Sequence, residues 1–128
     1  MKSYKSNDKT FEDYLEAMLI IQEQKGYIRS IDVASYLNVT KPSVTYTTKR
    51  LKERGYITMD ENNLITITEQ GMNIASSTYN KHKTLCKFFT DLGVDEKTAC
   101  DDACKVEHDI SQSTFEALCK YLESHPVK

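Results

Sequence analysis

The sequence predicts a mainly α-helical protein that carries one small β-hairpin. Three observations lead to this expectation: apolar residues recur at helical spacing along most of the chain, capping residues and glycines separate these stretches, and two short β-branched segments flank a polar loop. A length of 128 residues suits one compact domain, or two small domains that share a core.

The composition is that of a globular protein outside the membrane. Hydrophobic residues make up 39% and charged residues 28% of the chain. No apolar run approaches the ~20 residues of a membrane span, and the N-terminal segment MKSYKSNDKT is polar. We therefore expect no membrane partner and a cytoplasmic location, where the four cysteines would be reduced thiols that are structural or bind metal.

Two helices are expected before residue 40. Thr10 can cap the first helix and Gly26 ends it, and its apolar residues follow helical spacing: Phe11, Tyr14, Leu15, Met18 and Leu19. Ser30 can cap a short second helix over IDVASYL, which buries Val33, Ala34 and Leu37. Asn38 and Val39 then form a tight connection to the next helix.

The third helix is expected to start at Thr40 and to end before Gly55. Pro42 is tolerated in its first turn. Val44 and Leu51 are seven positions apart, so one side of this helix faces a core while the other side is polar or basic.

A hairpin and three more helices complete the predicted fold. The segments YITM and LITIT are joined by the polar loop DENN, a pattern typical of a β-hairpin. A long helix is expected from about Glu69 to Leu92, and another from Asp95 to about Asp109. Ser113 with Glu116 forms a capping box for the last helix.

Helix, helix, turn, helix and hairpin, in this order, indicate a winged helix-turn-helix followed by an all-helical region. In this arrangement the third helix enters the major groove of DNA. Between residues 41 and 54 five basic residues face one acid, whereas residues 91–128 hold nine acids and four lysines. The charge pattern favours a DNA-contacting half and a cation-attracting half, although solvated helix faces would also explain it.

The third helix provides the residues that we expect to contact DNA. Its first residues, Lys41, Pro42, Ser43 and Tyr46, would face base edges. The hydroxyls and cations suited to phosphates are those of Thr45, Thr47, Thr48, Lys49 and Arg50. Alternatively, the threonines are merely exposed and Tyr46 packs on the body. Asp60 and Glu61 in the loop of the hairpin would be repelled by phosphates, so the wing is expected to contribute little.

Carboxylate, thiolate and imidazole side chains recur at helical spacings, and these are the side chains that bind transition metals. Four groups share this feature: Asp13 with Glu16, His82 with Cys86, Cys100 with Cys104, and Cys104 with Glu107 and His108. The last group is the most specific, because burying a carboxylate and an imidazole together without a cation would be costly.

Each of the other groups has a simpler explanation. Asp13 could complete the N-terminal cap that Thr10 begins, and Glu16 could be a solvated helix residue. His82 alone would more often be structural than a ligand. Cys86 and Cys119 could be small core residues.

The segments FEDYLEAM, KHKTL, LGVDE and above all ACKVEHDIS resemble the iron- and manganese-dependent repressors of the diphtheria toxin repressor and manganese transport regulator type. The resemblance spans nearly the whole chain and is greatest to the short manganese-type members. It implies a homodimer that binds operator DNA and represses metal-uptake genes when a divalent metal is bound. It also implies a DNA-binding domain over residues 1–70 and a metal-binding and dimerisation domain over residues 71–128.

The resemblance also implies a set of metal ligands. By position, Asp13, Glu107 and His108 match primary ligands, and Glu16 and His82 match the manganese-type binuclear site. Cys104 matches the iron-type branch instead. Cys86 and Cys100 fall at positions of that branch's second metal site, where the family has glutamate and histidine. The ligand set is thus a hybrid that suits Mn²⁺ or Fe²⁺, with Co²⁺ or Zn²⁺ as substitutes.

Two other classes of function are compatible with parts of the pattern. One is a metal-independent winged-helix regulator in which the ligand cluster is accidental. The other is a small metalloenzyme that uses Glu107 as a base, but the sequence holds no evident substrate pocket or nucleophile arrangement. We therefore expect neither enzymatic activity nor a small organic substrate.

Overall fold

The computed structural model describes residues 6–125, which form two compact units that divide between residues 77 and 78, within the fourth helix. The elements in chain order are α1 (Ser6–Lys25), α2 (Ser30–Leu37), α3 (Lys41–Glu53), β1 (Ile57–Met59), β2 (Ile65–Ile67), α4 (Glu69–Asp91), α5 (Glu96–Val106) and α6 (Gln112–Ser124). The mainly helical fold with a single hairpin is confirmed. The predicted domain limits, 1–70 and 71–128, stay a prediction.

The core of the first unit is built on α1. All five of its predicted apolar residues are buried, and Leu15 and Met18 have no exposed surface. The helix begins at Ser6 and not at the predicted cap Thr10. Val33 and Ala34 of α2 are buried as well, whereas the predicted cap Ser30 is the first helical residue and Arg29 occupies the cap position without a side-chain bond.

A tight turn brings α3 against this core. Asn38 has φ 57°, a left-handed conformation that asparagine tolerates, and it ends α2. The Thr40 side chain accepts a hydrogen bond from the Ser43 amide at 3.2 Å and so caps α3, which agrees with the predicted start of this helix. Val44 and Leu51 are buried, which leaves the opposite side of α3 exposed to solvent.

The hairpin follows α3 and is part of the first unit. Strands β1 and β2 pair antiparallel with Ile57 opposite Ile67, and both isoleucines are buried. The Ile65 amide donates to the carbonyl of Ile28 at 2.9 Å, which ties the hairpin to the segment after α1. In the loop, Asp60 Oδ1 accepts from the amides of Asn62 and Leu64, so this acid shapes the turn.

The second unit consists of the later part of α4 with α5 and α6. Asp95, the predicted start of α5, is its N-cap, and the hydrogen bond from the Thr98 amide lowers the pKa of this carboxyl. The predicted capping box of α6 is wrong: Ser111 is the cap and accepts from the Thr114 amide at 3.1 Å. Among the described helices, none is both long and apolar enough to cross a membrane.

A disulfide joins α4 to α5. Cys86 and Cys100 are bonded, with their Cα atoms 4.6 Å apart, while Cys104 and Cys119 are free thiols. The expectation that the cysteines are reduced is therefore wrong for this pair. A sulfur in a disulfide is not a thiolate, so neither cysteine is available as a metal ligand in this state.

Gly71 permits a close approach of backbone to backbone within the first unit. A Cβ at this position would collide with the carbonyl oxygen of Tyr56 and lie 3.0 Å from Cγ2 of Ile67. The same carbonyl accepts a hydrogen bond from the Thr68 amide at 3.0 Å, which restricts its movement. The start of α4 is thereby fixed against the segment that leads into β1.

We predict that Gly71→Ala lowers the free energy of unfolding by about 1–3 kcal/mol, the usual cost of overpacking. The sign of this change is diagnostic, because replacing glycine with alanine in an unobstructed helix raises the free energy of unfolding by roughly 0.5–1 kcal/mol. Urea-induced unfolding followed by circular dichroism measures the difference. Asn73→Ala, at an exposed position of α4, is the control and should stay within about 0.5 kcal/mol of the parent. A Gly71→Ala protein as stable as the parent would show that the approach is not close.

Candidate metal centre and nucleic-acid interface

The strongest ligand cluster lies at the C-terminal end of α5. The Cys104 sulfur, a Glu107 carboxylate oxygen and a His108 ring nitrogen all lie within 4.8 Å of one another. The helix ends at Val106, three residues before the predicted end, but Glu107 keeps helical angles (φ −59°, ψ −27°). The predicted helical spacing of the three side chains therefore holds.

Glu107 is the centre of this cluster. Its side chain and that of His108 have no exposed surface. Glu107 Oε1 lies 2.9 Å from Nδ1 of His82 on α4, and its Oε2 lies 3.4 Å from Nε2 of His108. Among the described residues, this Oε2 atom has no hydrogen-bond partner. The cluster therefore has the features of a cation site, because an unsatisfied buried carboxylate is costly without a compensating charge.

The donor set and its position both fit a divalent transition metal. One sulfur, one carboxylate and two imidazoles are ligands for Fe²⁺, Co²⁺ and Zn²⁺, and the oxygen also suits Mn²⁺. The negative end of the α5 dipole adds a favourable field for a cation. Cys104 is exposed and has a free thiol, so an ion could reach this cluster from solvent.

Two further predicted ligands come from α1. Asp13 and Glu16 are on α1 in the first unit, and Glu16 is only 8% exposed. Asp13 lines a cleft of about 400 Å³ that Tyr46 and Thr47 of α3 also line. Their roles as ligands remain predictions. The disulfide, as noted, removes Cys86 and Cys100 from the candidate ligands in this structure.

The outer face of α3 presents most of the predicted DNA-contacting residues. Six of them are exposed and Arg50 is half-buried; the exposed ones are Lys41, Pro42, Ser43, Thr45, Tyr46 and Lys49. The expectation that Thr47 and Thr48 contact phosphates is wrong, because both residues are buried. The Thr48 hydroxyl donates to the Val44 carbonyl at 2.8 Å, so its hydrogen bond is made within the helix.

Arg50 holds Tyr46 in place on this face. The guanidinium carbon lies 5.6 Å from the centre of the Tyr46 ring and 6.0 Å from that of Phe11. Arg50 Nη1 also lies 3.5 Å from the Tyr46 hydroxyl. Cation–π contacts of this kind restrict both side chains, so the exposed Tyr46 ring is partly ordered before any ligand binds.

A cleft between α3 and the hairpin adds residues that the sequence analysis did not assign to the interface. Its volume is about 390 Å³, and its lining includes Thr45 and Lys49 together with Lys52 and Asn63. Lys52 belongs to the basic segment of residues 41–54, and this charge pattern could have indicated its place in the interface. Asn63 lies in the loop of the hairpin and could not be placed beside α3 from sequence spacing alone. Two lysines on one cleft suit a phosphate backbone.

A helix-turn-helix with a basic outer face and a helical unit with a buried cation site define a metal-responsive DNA-binding protein. The comparisons with known proteins agree. Residues 8–63 match the iron dependent repressor N-terminal DNA binding domain, and residues 68–127 match the iron dependent repressor metal binding and dimerisation domain. The chain belongs to the iron-dependent repressor family, and it is a metal-dependent transcriptional repressor that dimerises and not an enzyme.

Individual relatives cover nearly all of the chain. It is 38% identical over 121 residues to an uncharacterized HTH-type transcriptional regulator of Methanocaldococcus jannaschii, covering 93% of this chain and 97% of the relative. It is 28% identical over 120 residues to the HTH-type transcriptional regulator MntR of Lysinibacillus sphaericus, covering 91% and 86%. The solved structure of the metal-dependent transcriptional regulator MtsR has a TM-score of 0.81 at 27% identity. The match covers 88% of this chain, which spans about half (53%) of that structure.

We predict that Glu107→Gln removes the stabilisation that bound metal gives to the fold. Metal at about 100 times its Kd should raise the free energy of unfolding of the parent by about 2.7 kcal/mol. The amide keeps the shape of the side chain but not its charge, so the variant should gain little at the same metal concentration. Urea unfolding with and without Mn²⁺ measures both. Glu116→Gln, on an exposed position of α6, should respond like the parent. A full response from Glu107→Gln would exclude Glu107 as a ligand.

Proposed function

We propose that this chain is a cytoplasmic, homodimeric repressor that senses Mn²⁺ or Fe²⁺, binds operator DNA when metallated and so controls metal-uptake genes. The observation that carries the proposal is the buried carboxylate of Glu107, which lies between two imidazoles and beside a thiol. Such a site is poorly satisfied without a cation. Binding of a metal ion can therefore change the free energy of unfolding, which is the property that a metal sensor needs.

We further propose a ligand set with contributions from both halves of the sequence. His82, Cys104, Glu107 and His108 come from the helical half, which we take as residues 71–128. Asp13 and Glu16 come from the DNA-binding half, residues 1–70. When bound, the metal would supply positive charge to both sets of side chains. Ligands from both halves would restrict the positions available to α3, so metal would favour the dimer in which both α3 helices match successive major grooves.

The donor types bear on the choice of metal. A thiolate at Cys104 favours Fe²⁺, Co²⁺ or Zn²⁺ over Mn²⁺, whereas the carboxylates of Asp13, Glu16 and Glu107 favour Mn²⁺. Similarity to the solved structure of the manganese regulator SloR, at 27% identity and with a TM-score of 0.78, adds support for manganese. Mn²⁺ and Fe²⁺ therefore remain the two proposed effectors, and Co²⁺ and Zn²⁺ are expected to substitute for them in vitro. The competing function, a metal-independent regulator, is not favoured because it leaves the buried cluster without a role.

DNA recognition is assigned to α3 and its neighbouring cleft. Tyr46 is 64% exposed and is partly ordered by Arg50, so we assign it to base edges together with Lys41, Pro42 and Ser43. Lys49, Thr45 and the cleft residue Lys52 are assigned to phosphates, which fix the register of the helix.

We predict that chelation of the metal weakens specific operator binding by about tenfold or more, or ~1.4 kcal/mol, as is typical for allosteric coupling. Fluorescence anisotropy with labelled operator DNA, at fixed salt and buffered free Mn²⁺ or Fe²⁺, measures this affinity. A scrambled duplex is the control and should show a much smaller change. Equal operator affinity with and without chelator would contradict the metal switch.

The two roles on α3 can be separated by mutation. Lys49→Ala should weaken binding to every sequence and reduce the salt slope by about one unit, as expected for a phosphate contact. Tyr46→Ala should instead change the sequence preference, because it removes a side chain assigned to bases. Binding to a panel of single-base operator variants at several salt concentrations distinguishes them. If both variants show the same pattern, the division of α3 into base and phosphate contacts is wrong.

A further inference from the structure

The disulfide between Cys86 and Cys100 lies close to the candidate metal centre. Cys86 is one helical turn from His82 on α4, and Cys100 is one helical turn from Cys104 on α5. Residues four apart on a helix lie on the same face. The covalent link between the two helices is therefore next to the 2.9 Å contact between His82 and Glu107, which also depends on how α4 and α5 are aligned.

We propose that Cys86 and Cys100 are a reversible oxidation site whose state sets the metal affinity of the centre formed by His82, Cys104, Glu107 and His108. The inference rests on the proposed metal-sensing function. As a disulfide, the pair holds α4 and α5 at one separation, so the ligands on both helices are arranged before metal arrives. As a dithiol, the pair imposes no such restriction, and ordering the ligands costs part of the binding energy.

The chemistry needs only a low-molecular-weight disulfide and its thiol. In oxidation, one cysteine thiolate attacks the small disulfide, which releases one thiol and leaves a mixed disulfide on the protein. The second cysteine thiolate then displaces the other small thiol and closes the Cys86–Cys100 bond. Two electrons pass from the cysteine sulfurs to the small disulfide, and the two protons end on the two released thiols. Both cysteines are only half-buried, so small thiols can reach them.

The Cys86–Cys100 bond differs from a purely structural disulfide in its position. It does not connect distant parts of the chain, since only 14 positions separate its cysteines. Its geometric effect is concentrated on α4 and α5 in the turns that carry His82 and Cys104. The remaining half-buried cysteine, Cys119 on α6, is a free thiol and offers a matched control.

The first experiment uses the metal-free protein. The full chain is oxidised with glutathione disulfide, or reduced with a phosphine that is then removed without air. Thiol titration should give two free thiols in the first state and four in the second. Amide hydrogen exchange between residues 82 and 108 should be slower by about tenfold in the oxidised state. Four titratable thiols after oxidation, or identical exchange in both states, would overturn the proposal.

The second experiment measures binding of Mn²⁺ alone, from the paramagnetic resonance signal of the free ion. Mn²⁺ is the appropriate probe because thiolates bind it weakly, so the released thiols do not add affinity of their own. Oxidised protein should bind about tenfold more tightly than reduced protein. The double variant Cys86→Ser, Cys100→Ser should match the reduced protein under both treatments, and Cys119→Ser should respond like the parent.

The two proposals fail in different ways. Equal Mn²⁺ affinity in the two redox states, with binding itself intact, would overturn the redox proposal and leave metal sensing in place. A lack of Mn²⁺ and Fe²⁺ binding in both states, with the difference in hydrogen exchange retained, would overturn the proposed metal sensing. That result would still support the disulfide as a constraint on α4 and α5.

Discussion

The buried carboxylate of Glu107 is the constraint on which the second unit depends. A carboxylate without exposed surface must be compensated by hydrogen bonds or by positive charge. Part of that compensation comes from His82, which requires α4 to lie against the end of α5. One oxygen still has no hydrogen-bond partner among the described residues. The unit is therefore organised around a position where a bound cation would stabilise the folded state. Binding of a metal would then change the stability of this unit.

The cluster was predictable because its determinants are local. Cys104, Glu107 and His108 lie within one turn and a half of helix, and spacing alone brings such side chains together even though α5 ends at Val106. The contact between His82 and Glu107 spans 25 positions in the sequence. Only the family resemblance suggested that these two side chains belong to one site. The disulfide was mispredicted for a related reason. The expectation rested on the cellular compartment, whereas the pairing of Cys86 with Cys100 follows from the approach of α4 to α5, which no local pattern encodes.

The errors on α3 have another cause, since residue type is an imperfect guide to exposure. Thr47 and Thr48 were assigned to phosphates because they are polar, yet a threonine in a helix can satisfy its hydroxyl on a carbonyl one turn earlier and then be buried by its methyl group. Residue type also did not indicate the structural role of Asp60, whose carboxylate accepts hydrogen bonds from two amides of its own loop. Apolar spacing was more reliable: Val44 and Leu51 fixed the buried side of α3 and thereby the side available to DNA.

The donors of the proposed metal centre also differ in a way that suits a reversible sensor. Glu107 and His108 are buried, so their interaction with a cation is little screened by water, and they should contribute most to affinity. Cys104 is exposed, so its sulfur is accessible to an ion that enters from solvent or leaves to it. Affinity and exchange would thus depend on different side chains. Because coupling between sites is reciprocal, operator DNA must raise the affinity of this centre for metal by the same factor by which metal raises the affinity for DNA. A promoter-bound dimer would therefore keep its metal at concentrations at which the free dimer loses it.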